Sequence, residues 1–431
     1  MNELKSVVRG QVWLPGDPGF HAARRPWNLA VQQPVAAVVE VADAEDVVAL
    51  VKHARAAGMT VTTQPNGHGA TGRTDGAILL RTRRLDTLEI SPATRRARVG
   101  AGVASGRVQA AAAPLGLTGL PGSSPIVSVT GVALGGGLSW FGRAHGWVAD
   151  NVTAFDVVDA EGHQRHVTAG SDPDLFWALR GGGGDLVVVT ALELALHPAP
   201  RLYGGRVLWA GEYAAPVVDV FRQITATAPD ELTVWLDLLH FPGGDPMVAV
   251  DATYLGGEDE ARRLLAPLGR LPKPLSDSRK VMSVAELGSI TAEPVAPSAG
   301  SSWGELLTGL DDDAAKTLLA EPIAPLLSVQ VRHLGGAFTR PSDSPHGPLT
   351  EPYAIYMFGI PADPDTALSI TDRQLSLAGS LPVSGRKPFT FLSPGENVSD
   401  AFSAEVVIRL RDIKRRRDPR PVFCGNFPVA D

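Results

Sequence analysis

Apolar positions along residues 36–62 change period twice. AAVVEVA reads as a strand, DAEDVVALVKHARAAG as an amphipathic helix and MTVTT as a second strand, with Val47, Leu50, Val51 and Ala54 on one helical face. Asp43 is the expected N-cap, Asp46 follows three residues on, and Gly58 closes the helix. This is a βαβ opening. The chain continues with a strand AILLRT, two strands around a turn at Ser91-Pro92, and a short helix in ASGRVQAAAAPLG that ends at Gly116. A strand VTAFDVVDAEG, a helix SDPDLFWALR with Ser171 as expected N-cap, and an apolar strand LVVVTALELAL complete the first part.

After His197-Pro198 the texture shifts to longer amphipathic units. Helical patterns at 212–226, 257–268, 311–326 and 364–379 alternate with strand patterns near 203–209, 232–239, 247–254, 328–333 and 353–359. Alternation within VWLDLLHF and YAIYMFGI predicts an antiparallel sheet with one face covered by helices. The expected division is 1–200, 201–384 and 385–431, the last with a helix through Val406, Leu410 and Ile413 and a turn at Asp418-Pro419. No self-similar period indicates a repeat architecture.

Composition narrows the function classes. With 431 residues, 44% hydrophobic and 20% charged, the chain is an ordinary globular protein long enough for two domains. A net charge of −7 gives no footprint for nucleic acid, and KRRR at 414–417 is expected to be a solvated helix face. Cys424 stands alone, which excludes an intrachain disulfide and a cysteine metal cluster. The N-terminal MNELKSVVRG has no apolar leader and no stretch reaches membrane-span length, so a cytoplasmic, membrane-free protein is expected. Self-association into a homodimer stays open.

Candidate chemistry lies in the glycines. Between 119 and 146 they fall at 119, 122, 131, 135, 136, 137, 142 and 146, and a second cluster is RGGGGD at 180–185. Ordinary helices and central strands do not tolerate that density, so something must approach this backbone closely. A third cluster, QPNGHGATG at 64–72, spells G-x-G-x-x-G, but a turn and a strand follow it rather than the helix that a Rossmann loop opens. Its glycines suit a nest of backbone N–H groups for phosphate oxygens. His68 at the tip is a surface-turn residue on one reading and a nucleophile toward a bound electrophilic cofactor on the other. Metal ligation is disfavoured there, and His163 and His166 lie on a solvated strand turn.

The run PWNLAVQQPVAAVVEVADAEDVVALVKHARAAGMTVTTQPNGHGATG, the stretch GSSPIVSVTGVALGGGLSWFGRAHGWVADNVTAFDVVDAEG and the segment SDPDLFWALRGGGGDLVVVTALELALHP together resemble the FAD-binding fold of the vanillyl-alcohol oxidase superfamily. Within it they are most similar to the bacterial berberine-bridge-enzyme-like oxidoreductases, and RLRDIKRRRDPRPVFCGNFPV resembles that subfamily's tail, which returns to the flavin domain. The likeness spans about residues 20–198 and 400–431. It implies an α+β fold: a PCMH-type FAD-binding domain of two α/β subdomains, plus a substrate domain whose antiparallel sheet is covered by helices. It further implies that His68 is joined covalently to the flavin 8α-methyl, with Gln64, Pro65, Asn66, Gly67, Gly69 and Gly72 around the pyrophosphate. Gly122, Ser123, Ser124, Val127, Ser128, Gly131, Gly136 and Gly137 would line the ring and phosphates. Asn151 and Val152 would lie near the adenine part, and Asn426 would complete the site from the tail.

Three departures stand out. Ser124 falls in the stretch where many relatives carry a second linking cysteine, so attachment is expected to be single. Asp185 and Val187 stand where Asn and Gly are usual, and Thr390 and Phe391 replace an aromatic-Asn pattern. For catalysis, a flavin takes a hydride while the protein receives a proton from the attached O–H or N–H. The second domain offers His240, Tyr254 and Tyr353, and above all Asp237, His333 and Tyr356; Trp235 and Trp303 are read as packing. An alcohol, amine or related small organic substrate is expected, under a roof with few clustered charges, with molecular oxygen as acceptor. A nicotinamide-dependent dehydrogenase and a non-redox ligand-binding protein are the competing classes.

Overall fold

The computed structural model describes residues 3–429. The βαβ opening forms as the periodicity predicts: strands Ala37–Glu40 and Val61–Thr63 flank Ile78–Arg81 in parallel, and Gln11–Trp13 adds an antiparallel edge. Asp43 caps the helix Ala44–Ala57 through the N–H groups of Glu45 and Asp46, and Gly58 ends it in the left-handed region at φ +64°. Asp46 is buried and does more than extend a cap. Its carboxylate accepts from the backbone N–H groups of Arg9, Gly10 and Ala42, pinning the N-terminal strand to the helix.

A five-stranded antiparallel sheet follows, in the order Leu88–Ser91, Arg96–Gly100, Val188–Ala195, Val152–Val158, Gln164–Val167. The helix beside it runs Pro173–Leu179 and is capped by Asp172, not Ser171. Pro173 at the first helical position starts the helix one residue later than expected, and the Ser171 hydroxyl instead donates to the His166 carbonyl. The glycine-rich 119–146 segment does carry helix, in two short pieces, Val129–Leu134 and Gly142–His145. Ser128 caps the first of them by accepting from the Gly131 N–H.

The second half builds an eight-stranded sheet around the order Tyr203–Ala210, Met247–Tyr254, Leu232–Leu239, Ser328–His333, Tyr353–Gly359, Ser301–Leu307. The last of these strands was not anticipated, because Gly304 and Glu305 interrupt its apolar alternation. The expected helices at 257–268 and 311–326 are shorter, as Glu258–Leu264 and Asp312–Leu319. Period-2 alternation sends Val234, Leu236, Val250, Val331 and Ile355 into one core with Phe221, Leu318 and Leu377 of the covering helices. The opposite face therefore receives the polar residues. It abuts the first half, where Trp235 stacks on Trp140 at 3.5 Å.

The tail crosses back. Beyond the helix Ala404–Arg417, the Val61 N–H donates to the Val422 carbonyl and the Cys424 N–H to the Val61 carbonyl. The KRRR run is not wholly solvated: Lys414 is buried, and its ammonium holds Asp418 and the carbonyls of Asp185 and Phe423. A lysine in low dielectric must find such partners, and only Arg415, Arg416 and Arg417 make the surface ion pairs expected of that face.

Candidate functional site: a neutral histidine in an open glycine loop

No helix follows the loop at 64–72; a turn leads into the strand Ile78–Arg81. Gly67 and Gly72 hold φ of +83° and +81°, and a Cβ would fall 2.8 Å from Pro26 Cβ at the first and 2.9 Å from the Gln32 carbonyl at the second. Gly69 differs. A Cβ there meets nothing within 4 Å, so the loop is open at its tip beside His68.

The imidazole of His68 stacks on Trp27 at 4.2 Å. Its Nδ1 lies 3.0 Å from Asn66 Oδ1, while Asn66 Nδ2 donates to the Ile126 carbonyl at 2.8 Å. The carbonyl can only accept, which fixes the amide's orientation, so Nδ1 must be the protonated nitrogen. Nε2 then carries the lone pair, and it is buried without a partner. Burial pushes the ring down to about 4, so it is neutral near pH 7. In the same loop Gln64 Oε1 is also buried without a partner. Orphaned buried polar atoms are rare in folded proteins; two in one loop fit a polar cofactor.

The bond from Asn66 to Ile126 brings the second segment to the loop. Gly122, Ser123, Ser124 and Val127 are all half-buried, and their carbonyl side is anchored: Ser105 binds the Ser124 and Val127 carbonyls. Pro65 is half-buried in the loop itself, Ser128 and Gly131 close the same segment, and Thr71 donates to the Asn426 carbonyl, which draws in the tail. Other expected cofactor residues have protein side chains close by. A Cβ on Gly136 would lie 2.2 Å from His346 Nε2, and one on Gly137 2.5 Å from Val132 and 2.8 Å from Val148. Asn151 binds the carbonyls of His145 and Trp147 and faces His197, and Val152 is buried in its strand. His346 was not foreseen, because nothing in SDSPHGPL marks a histidine that will enter a glycine cluster 160 positions or more away.

The other candidates lie on the polar face of the large sheet. Asp237 pairs with Gln330 and Gln330 with Tyr356, a row across three strands. Arg206 grips Asp237 at 3.0 Å and Asp251 at 2.6 Å, and Ser328 donates to the other Asp237 oxygen at 2.7 Å. Burial pushes Asp237 up to about 7 against the pull of Arg206. Tyr356 belongs to an apolar group with Leu138, Leu306, Ala354 and Phe391, and burial raises its phenol. His333 falls outside this set. It follows Val329 and Val331 onto the helix-covered side, accepts from Arg143 at 3.1 Å, and is driven down to about 3 by burial and that guanidinium. The roof is also more charged than its sequence suggests, since alternation hides the apolar positions and turns Arg206, Asp237, Asp251 and Arg332 inward.

Among the described residues, no group of three or more His, Cys, Asp or Glu side chains is placed to hold a metal, and no helix is long and apolar enough to cross a membrane. Residues 35–168 match the FAD binding domain family. The (R)-6-hydroxynicotine oxidase of Paenarthrobacter nicotinovorans is 30% identical to the chain, over 98% of this chain and 97% of that protein. The crystal structure of 6-hydroxy-D-nicotine oxidase from Arthrobacter nicotinovorans superposes with a TM-score of 0.85 at 25% identity, over 98% of each chain. The berberine bridge enzyme of Eschscholzia californica shares the fold at a TM-score of 0.84 and 17% identity, over 99% of this chain and 98% of that one. The chain belongs to the FAD-linked oxidoreductases that carry this FAD binding domain, the family of (R)-6-hydroxynicotine oxidase, and shares its fold with the berberine bridge enzyme.

Proposed function

We propose that the protein is an FAD-dependent oxidase that removes a hydride from an alcohol, amine or related carbon of a small organic molecule, with its flavin bonded to His68 and molecular oxygen as the electron acceptor. The observation that carries this reading is His68 Nε2: a buried lone pair without a partner, on a ring held neutral, beside the open face of Gly69. When bound, FAD supplies the hydride-accepting ring. Asn66 holds the His68 tautomer by fixing the Nδ1 proton. The backbone around Gly67, Gly69 and Gly72 is free to meet phosphate oxygens, and Ser124, a poor nucleophile beside a thiolate, leaves the attachment single.

Tyr356, on the polar face of the large sheet, is the group we assign to meet the substrate's O–H or N–H. Asp237, though poised near neutrality, has both oxygens taken by Ser328 and Arg206 and is not free to act as the base. The division at 1–200, 201–384 and 385–431 and a cytoplasmic location belong to the same proposal. The test is intact-protein mass together with acid precipitation. A polypeptide heavier by one FAD, with colour that stays in the pellet, supports the bond; a bare polypeptide mass from active enzyme overturns it.

A further inference from the structure

Arg332 occupies the inward face of the large sheet, beside Trp235 in register and two positions from Gln330. Its guanidinium lies over three aromatic rings, 4.4 Å from Trp235, 5.3 Å from Tyr356 and 5.6 Å from Phe391. Nε donates to Gln330 Oε1 at 2.6 Å. Among the described residues nothing pairs with its two terminal nitrogens. The carboxylates that bear on it from neighbouring elements, Glu293 and Asp237, form no ion pair with it, and Asp237 is already held by Arg206. Burial lowers this guanidinium from its ordinary value.

A cation in such a place is costly unless an anion meets it. The rings offset only part of that cost, because cation–π attraction is weaker than a charge-assisted hydrogen bond pair. Arg332 is half-buried rather than sealed. Arg332 thus brings four N–H donors in a planar fork to the polar face of the sheet, beside the rings of Trp235, Tyr356 and Phe391. A carboxylate fits a fork of that geometry in bidentate fashion.

We propose that Arg332 is a substrate-recognition residue and that the molecule oxidised carries a carboxylate, on a skeleton flat or apolar enough to sit among Trp235, Tyr356 and Phe391. This deepens the oxidase reading and rests on it for the word substrate. The anion site itself stands on the geometry of Arg332. A simple cationic amine is disfavoured by the same charge, which sets this chain apart from an enzyme for amines without an acid group.

The experiment compares 3-phenylpropionate with its neutral amide on the holoenzyme, by calorimetry for affinity and by the visible flavin spectrum for location. Expected are affinity for the carboxylate about tenfold or more above the amide and a spectral shift on binding. Arg332→Met should abolish the preference by weakening the carboxylate alone, and Arg332→Lys should keep part of it. Equal affinities in the unaltered yellow protein overturn the inference without touching the oxidase reading, and need no variant to fold. A preference that survives Arg332→Met, or carboxylate binding that leaves the spectrum unmoved, also overturns it. So does an Arg332→Met protein whose flavin potential shifts while ligand selectivity is unchanged, since the guanidinium would then serve the cofactor. A colourless protein that still shows the Arg332-dependent preference would sink the oxidase reading and leave the anion site in place.

Discussion

His68 and His346 look alike by most local measures. Each stacks on a tryptophan, Trp27 at 4.2 Å and Trp147 at 4.4 Å, each has a buried Nε2 without a hydrogen-bond partner, and burial drives them down to about 4 and about 3. Each sits against glycines. The difference is what those glycines make room for: at Gly69 a Cβ would meet open space, whereas at Gly136 and Gly181 it would overlap the His346 ring at 2.2 and 2.6 Å. One cluster leaves space for a guest, and the other is filled by the chain's own 342–347 loop. Glycine density reports close approach but not the identity of what approaches.

The largest expected effect separates the two clusters directly. Gly136→Ala forces a side chain into a φ of +89° and onto His346; left-handed strain and overpacking together cost about 3 kcal/mol or more. Urea unfolding of the variant should show that loss. Gly69→Ala, with open space and no left-handed φ, should leave the unfolding midpoint near that of the parent while lowering flavin content. Equal destabilisation by the two would break the contrast. Next in size is the histidine pair itself. His346→Ala leaves a cavity worth about 2–3 kcal/mol by the large-to-small rule yet should keep acid-stable flavin, whereas His68→Ala should release all colour on precipitation with little change in midpoint.

A smaller effect is expected on the roof. Tyr356→Phe removes one hydroxyl contact and should lower kcat/KM by about tenfold, the equivalent of one hydrogen bond. An unchanged kcat/KM would move the substrate-facing role elsewhere on the sheet. Flavin content measured alongside should stay constant, which separates a lost substrate contact from a disturbed cofactor site.

The same contrast explains what could be read in advance. The βαβ start and the helix-free glycine loop around His68 were legible because each depends on residues within a few positions: Asp43 and Gly58 bound a helix, and no helix pattern follows Gly72. The covered sheet was legible from alternation, but which face looks inward was not, so His333 was grouped with Asp237 and Tyr356 although one residue of register puts it on the other side. That His346 and Val148 pack on the Cβ side of Gly136 and Gly137 was not legible, because tertiary packing sets those neighbours. Lys414 was hidden inside a basic run for the same reason: its partner Asp418 is local, but the Asp185 carbonyl it also holds is 229 positions away. Arg332 could have been suspected from the strand SVQVRH, where it alternates with Val331, yet nothing local shows that it lacks a carboxylate.

The smallest prediction concerns acid. A buried histidine whose folded value lies below its ordinary 6.5 stays neutral while the unfolded chain takes up a proton, so stability falls as pH drops from 6.5 toward the folded value. His346 and His68 act in this sense over 6.5 to about 3 and 6.5 to about 4. Asp237 acts oppositely: raised to about 7, it keeps its proton in the folded state after the unfolded chain has lost it, and stability falls as pH rises from 3.8 through 7. Asp185 and Asp251, also raised by burial, share that sense. The summed slope is therefore a small difference between opposing groups, and the clean quantity is the change on removing one of them. Replacing His346 by Gln should flatten the acid side by at most about 1.4 kcal/mol per pH unit, one proton's worth, read from urea midpoints between pH 6.5 and 5. His68→Gln should flatten it almost as much in that range, because a ring at about 4 is nearly as proton-free as one at about 3 above pH 5; the two should part only below pH 5, where His68 takes up its proton first. If the two variants still match between about pH 4.5 and 3.5, the open loop and the filled one differ less in enclosure than their glycines indicate.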